Sequence, residues 1–172
     1  DLLKLSELDE KGPRLSFNVI QVLELVGNVV DRLATFAKNH HVEMQFTNHL
    51  TSPICVFGDV ELLGQVLTNV IKNAIVYNKK EGEVDIKLTQ EKNHLMIVIQ
   101  DTGIGMESND VARVFERFYR AEKSRSRQGG GSGLGLSIAL AIIEIHKGKI
   151  SIESQLDKGT LVIISLPIHS SS

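Results

Sequence analysis

The amino-acid sequence predicts a two-layer α/β sandwich, in which one mixed sheet carries its helices on one face. Three observations support this. The 172 residues suit one domain. A hydrophobic content of 42% and a charged content of 23% match ordinary globular usage, not a disordered or coiled-coil chain. Apolar residues also switch repeatedly between helical and strand spacing, in the order helix, strand, helix, hairpin, helix, hairpin.

Residues 1–12 place Leu2, Leu3, Leu5 and Leu8 at helical spacing and read as the tail of a helix, stopped by Gly12-Pro13. Residues 14–19 alternate like a short strand. From 20 to about 39, Val22, Leu23, Val26, Val29, Val30, Leu33, Phe36 and Ala37 fit one face of a long helix. Residues 42–46 alternate again, Ser52-Pro53 turns the chain, and 54–57 form a short strand ending at Gly58. Asp59 is a good N-cap for a helix running to about Tyr77. Residues 83–90 and 94–100 read as a hairpin whose second strand (LMIVI) is apolar throughout and therefore central. A glycine turn at 101–106, a short helix near 110–115 and a charged, glycine-rich loop at 117–131 follow. Residues 133–146 are helical, 149–154 and 160–166 are closing strands, and 169–172 are a polar tail expected to be disordered.

Composition excludes several function classes. Nineteen basic residues against 21 acidic ones give a net charge of −2, so the chain is no generally basic nucleic-acid binder. Cys55 is the only cysteine, which excludes an internal disulfide framework and a cysteine zinc cluster and suits a reducing compartment. No apolar run approaches the ~18 residues of a membrane span, and the N-terminus is no signal peptide. The chain starts with Asp rather than Met and reads as a piece of a longer protein.

Three segments carry chemistry. Asn69, Asn73 and Tyr77 recur at i, i+4, i+8 beside the apolar stripe of their helix. Either the amides are solvated or bonded to local backbone, or they face a ligand and offer oxygens to a hard cation such as Mg²⁺. Asp101-Thr-Gly-Ile-Gly-Met106 follows a buried strand. Its glycines admit a planar ligand close to the backbone, and its aspartate can accept from an exocyclic amine, although a plain turn is the alternative. Residues 129–135 (GGGSGLG) directly precede an apolar helix, whose free N–H groups and dipole make an anion site. No Lys follows to make a P-loop, and the glycine spacing is not that of a dinucleotide fingerprint. Before these glycines, Arg113, Arg117, Arg120, Lys123, Arg125 and Arg127 interleave with Phe115, Phe118 and Tyr119, which suggests a lid.

In this order the segments resemble the catalytic ATP-binding domain of two-component sensor histidine kinases, within the superfamily shared with gyrase, mismatch-repair ATPases and serine-kinase anti-sigma factors. LTNVIKNAIVYN resembles the N box, DTGIGM the first glycine box, FERFYR the phenylalanine box and GGGSGLGLSIA the second glycine box. HKGKISIESQLDKGTLVIISLP resembles the closing strands, and the likeness covers about 14–167.

The resemblance implies a Bergerat-type fold with a mixed, mostly antiparallel sheet. It implies Asn73 as Mg²⁺ ligand, Asn69 supporting the phosphates, Tyr77 near the adenine and Asp101 on its amino group. Gly103, Ile104 and Gly105 would shape the base pocket, with Thr160 assisting Asp101 through water. The backbone of Gly131, Ser132, Gly133, Leu134 and Gly135 would hold phosphates, reached also by Arg120 from the lid. Residues 1–13 would be the end of the preceding dimerisation helix and a linker, and 14–168 would be the catalytic domain. Val76 stands where the family often has a phosphate-contacting lysine; Lys79, Lys80 or a lid arginine substitutes, or affinity is reduced.

Asn69 also occupies the place of the glutamate base found in members that hydrolyse ATP, and amides are poor proton acceptors. The implied reaction is therefore γ-phosphoryl transfer from Mg-ATP to a histidine on a dimerisation domain, with a response regulator receiver domain downstream. Alternatives are a superfamily ATPase and a degenerate nucleotide-binding interaction module. No nucleic-acid or membrane contact is expected from this segment, and the expected location is cytoplasmic, whether or not the parent is membrane-anchored.

Overall fold

The computed structural model describes residues 15–121 and 131–170, with Leu3 and Ser6 besides. Among these residues seven strands and four helices follow one another: β1 (Phe17–Gln21), α1 (Val22–Asn39), β2 (Val42–Asn48), β3 (Cys55–Asp59), α2 (Val60–Val76), β4 (Gly82–Glu91), β5 (His94–Asp101), α3 (Ser108–Val111), α4 (Gly135–Ile145), β6 (Lys149–Gln155) and β7 (Gly159–Pro167). The main sheet has the order β2-β4-β5-β7-β6, with β2 and β4 parallel and the other neighbours antiparallel.

This is the expected mixed, mostly antiparallel sheet, and only the membership of two strands differs: β1 and β3 pair antiparallel as a separate two-stranded ribbon. The end of β3 is also the start of α2, so its last residues serve a helix cap. The Asp59 carboxylate accepts from the N–H groups of Glu61 and Leu62 at 3.0 and 3.1 Å, and from Ser16 at 2.9 Å. Burial would raise this carboxyl, but the three N–H donors and nearby His146 outweigh that and hold it below the usual range. His146, to which the sequence assigned no role, is a buried structural residue. Its Nε2 accepts from the Asp59 N–H at 2.9 Å, and its ring stacks on Phe17 at 4.8 Å. The expected tail is also shortened at its start: His169 donates its backbone N–H to the Cys55 carbonyl at 2.8 Å and stacks on Phe57.

Alternation decides what the sheet buries. Val84, Ile86 and Leu88 of β4, Leu95, Ile97 and Ile99 of β5, and Ile164 of β7 point to the helix layer and are at most 1% exposed. The helices answer with Leu67, Ile71 and Ile75 of α2 and Ile138, Ile142 and Ile143 of α4. Each such side chain contributes about 1.5–3 kcal/mol by leaving water. Asp101 continues the inward-facing series of β5 one step past Ile99, which puts a carboxylate on the buried face. α4 starts two residues later than expected because Gly133 takes φ +76° and bends the chain first. The short helix likewise lies earlier, at Ser108–Val111.

Candidate functional site

A cleft of about 870 Å³ opens between α2, the turn after β5, α3 and the start of α4, and it reaches in to Ile99 of β5 and Val162 of β7. The wall of α2 contributes Asn69, Asn73 and Tyr77, so the polar line read from the sequence does face a cavity. Asp101, Ile104, Gly105 and Thr160 line one end of the cleft. Arg120, Gly131, Ser132, Gly133 and Gly135 line the other. Gly103 and Leu134 stand outside the lining. Leu134 as a whole is 2% exposed and belongs to the core. A separate groove of about 780 Å³ between α1 and α2 shares only Asn69 with this cleft.

At the Asp101 end, Oδ1 accepts from the N–H groups of Gly103 at 2.8 Å and Thr160 at 3.2 Å. No described residue hydrogen-bonds to Oδ2. Burial pushes this carboxyl up to about 6, against the opposing effect of the two N–H donors. A carboxylate thus presents one acceptor oxygen inside a half-apolar cavity. The Thr160 hydroxyl, expected to assist Asp101 through water, lies 2.8 Å from Ser154 Oγ, and the backbone N–H of Thr160 contacts Asp101 directly.

Two glycines at this end have no room for a side chain. A Cβ on Gly105, at φ +60°, would lie 1.9 Å from the Gln155 carbonyl oxygen. A Cβ on Gly159, at φ +107°, would lie 2.0 Å from the carbonyl oxygen of Asp101. Gly159→Ala should cost at least about 2 kcal/mol and lower Tm by roughly 5 °C. Gly131→Ala, where a Cβ meets nothing within 4 Å, should change stability by no more than about 0.5 kcal/mol. Thermal unfolding of the two variants checks both values, and equal shifts would remove the steric account.

At the other end, α4 begins on Leu134, which supplies no side-chain cap, so its first N–H groups keep their donor capacity and dipole. The Asn69 Nδ2 donates to the Gly135 carbonyl at 3.3 Å, tying α2 to this helix start. The Asn73 amide makes no hydrogen bond with a described residue. Phe118 N–H donates to the Gly133 carbonyl at 3.0 Å, which clamps together the two ends of the arginine-rich loop. Tyr119 donates its hydroxyl to Asp110, and Arg113 stacks on the Tyr119 ring at 4.3 Å while bonding Glu116 at 2.8 Å. Residues 122–130, with Lys123, Arg125 and Arg127, lie outside the described residues.

Several participants were missed. Buried Asn78 donates to the Glu83 carbonyl at 2.9 Å and accepts from the Thr102 hydroxyl at 3.2 Å, so it braces the glycine turn against α2. Its place directly after Tyr77, at a helix end, was the available signal. Lys79 and Lys80 are exposed and outside the cleft, whereas Lys72 and Phe36 line it. Nothing local marks a phenylalanine 36 residues before Lys72 as its neighbour.

Residues 58–170 match the family model described as histidine kinase-, DNA gyrase B- and HSP90-like ATPase. The chain is 36% identical over 170 residues to the sensor histidine kinase RppB of Synechocystis sp., covering 99% of this chain and 37% of that protein. It is 38% identical over 169 residues to the sensor histidine kinase WalK of Bacillus subtilis, covering 97% and 27%. It therefore spans between about a quarter and two fifths of these relatives. Among solved structures, a mycobacterial sensor histidine kinase, MprB, superposes with a TM-score of 0.78 at 28% identity, over 90% of this chain and all of that one. The catalytic domain of the histidine kinase ThkA shares the fold at a TM-score of 0.76 and 24% identity, over 88% and 95% of the two chains.

Proposed function

Because the chain belongs to the histidine kinase-, DNA gyrase B- and HSP90-like ATPase family, and is the catalytic ATP-binding domain of a sensor histidine kinase, we propose that its cleft holds Mg-ATP for γ-phosphoryl transfer to a histidine of a dimerisation domain. The observation that carries this reading is the polarity of the cleft: a buried acceptor carboxylate at one end, an uncapped helix start at the other, and two amides between them. Adenine presents an exocyclic amine to Asp101, and Tyr77, Ile104 and Gly105 flank the base. The triphosphate runs along Asn73 and Asn69 to the N–H groups of 131–135, with Arg120 at the rim.

The residues present fit Mg²⁺ of a particular kind. Among the described residues no three His, Cys, Asp or Glu side chains form a group that could hold a metal ion. A neutral amide oxygen at Asn73 suits a hard cation that arrives with its phosphates and waters. When bound, the ion neutralises phosphate charge. The chain's own residues orient the nucleotide: Asn69 is held by Gly135, and Asp101 fixes the base. With an amide in the place of a base, Asn69 activates no water, so transfer rests on positioning. In the reaction the γ-phosphorus forms a bond to an imidazole nitrogen and breaks its bond to the β–γ bridging oxygen, giving ADP and phosphohistidine.

We extend the reading to the parent protein. In this reading residues 14–168 are the catalytic domain, 1–13 are the end of a preceding dimerisation helix and a linker, and a response regulator receiver domain takes the phosphoryl group from the histidine. No helix among the described residues is long and apolar enough to cross a membrane.

Titration with ATP, with and without Mg²⁺, tests the site. Asn73→Ala should weaken Mg-ATP binding by about tenfold or more and metal-free ATP binding much less, because only the first uses the amide as an ion ligand. Equal losses would make Asn73 structural.

A further inference from the structure

Among the described residues three cations line the cleft: Lys72, Arg113 and Arg120. Arg113 is already engaged with Glu116 and with the ring of Tyr119. Lys72 is differently placed. It is the only basic residue of α2, and no carboxylate among the described residues pairs with it. Its ammonium lies 5.2 Å from the ring centroid of Phe36, a residue of α1 that also lines the cleft.

Asn69, Lys72, Asn73 and Val76 follow at i, i+3, i+4 and i+7, which places them on one side of the helix. At about 1.5 Å of rise per residue, Lys72 sits about 4.5 Å along the axis from Asn69 and about 1.5 Å from Asn73. It is therefore level with the amides assigned to the phosphates and far from the base end at Asp101. Lysine is a point charge on a flexible stem, and an exposed contact between an ammonium and a ring is weak enough to exchange for an anion.

We propose that Lys72 is a triphosphate-binding residue whose ammonium exchanges the Phe36 ring for the terminal phosphates when nucleotide enters. The proposal rests on the ATP reading of the cleft and assigns to α2 the charge that Val76, one turn further on, lacks. Phe36 acts as the resting place that keeps the ammonium at the rim.

The test compares the whole chain with Lys72→Met, Lys72→Arg and a Lys79→Met/Lys80→Met double variant, titrated calorimetrically with ATP and with adenosine. Lys72→Met should weaken ATP binding by about tenfold, the loss of one charge-assisted hydrogen bond, and leave adenosine binding unchanged. Lys72→Arg should recover most of the affinity, and the double variant should bind like the wild type. In NMR spectra, the Lys72 side-chain methylene signals, shifted by the ring current of Phe36, should move on addition of ATP but not of adenosine. Unchanged ATP affinity in Lys72→Met, or a loss confined to the double variant, would overturn the role of Lys72. A wild type that binds neither ligand would instead overturn the ATP reading itself, so the two failures are distinct.

Discussion

Asp101→Ala should lower ATP affinity roughly 100-fold, because a hydrogen bond from a ligand to a buried charged acceptor contributes about 1.5–3 kcal/mol and its loss leaves the amine unpaired. Asp101→Asn should lose as much, for a geometric reason. Gly103 and Thr160 both donate to Oδ1, so the variant must keep its carbonyl oxygen there and turn its NH₂ toward the base. Donor would then face donor. The same NH₂ suits a carbonyl, so the preference for ATP over GTP should collapse in Asp101→Asn.

The protonation of Asp101 gives a second readout. Its carboxyl titrates at about 6 because burial disfavours the charge. Below that pH the proton belongs on Oδ2, since Oδ1 is occupied, and wild-type ATP affinity should fall as pH drops from 7 to 5. Asp101→Ala should lack this dependence. The effect on folding has the opposite sign. A carboxyl raised in the folded state favours folding below its unfolded value of 3.8, and that contribution is lost as pH rises through about 6. Asp101→Asn should therefore gain stability relative to wild type between pH 4 and pH 7, by on the order of 3 kcal/mol. Equal wild-type affinities for ATP and GTP, flat with pH, would remove Asp101 from base recognition.

The chain should not label itself from γ-labelled ATP, and supplying the dimerisation helices by fusion should raise histidine labelling about a thousandfold over the same helices added at micromolar concentration. None of the six histidines lines the cleft. His146 is buried with both ring nitrogens engaged, and His40 bonds the Phe36 carbonyl from the end of α1. A short tether supplies an effective concentration of about millimolar, which is the origin of the thousandfold figure. Hydrolysis should be slow for the same chain, because Asn69 cannot take a proton from water. The positive result is acid-labile, base-stable phosphate on the added helices. Robust labelling of the 172 residues alone would place an acceptor within them and end the proposed division between catalytic domain and acceptor.

By itself the sequence determined the elements and most of the cleft. Helix and strand periods are local, so α1, α2, β4 and β5 could be read from spacing, and the Asp59 cap from one residue and its position. Asn69, Asn73 and Tyr77 repeat at the pitch of a helix, so their common face follows from geometry alone. Asp101 could be placed at a strand end for the same reason. Only the tertiary structure decided partners that lie far apart along the chain. β1 and β3 leave the sheet, β2 runs parallel to β4, and β7 inserts between β5 and β6. The contacts of Asp101 with Thr160, of Asp59 with His146 and of Lys72 with Phe36 join residues 36 to 87 positions apart. A backbone N–H or a ring face leaves no periodic trace of the group it meets. Strand pairing and burial choose those partners, which is why the chemistry of Asp101 was legible as a residue type while its raised pKa and single open oxygen were not.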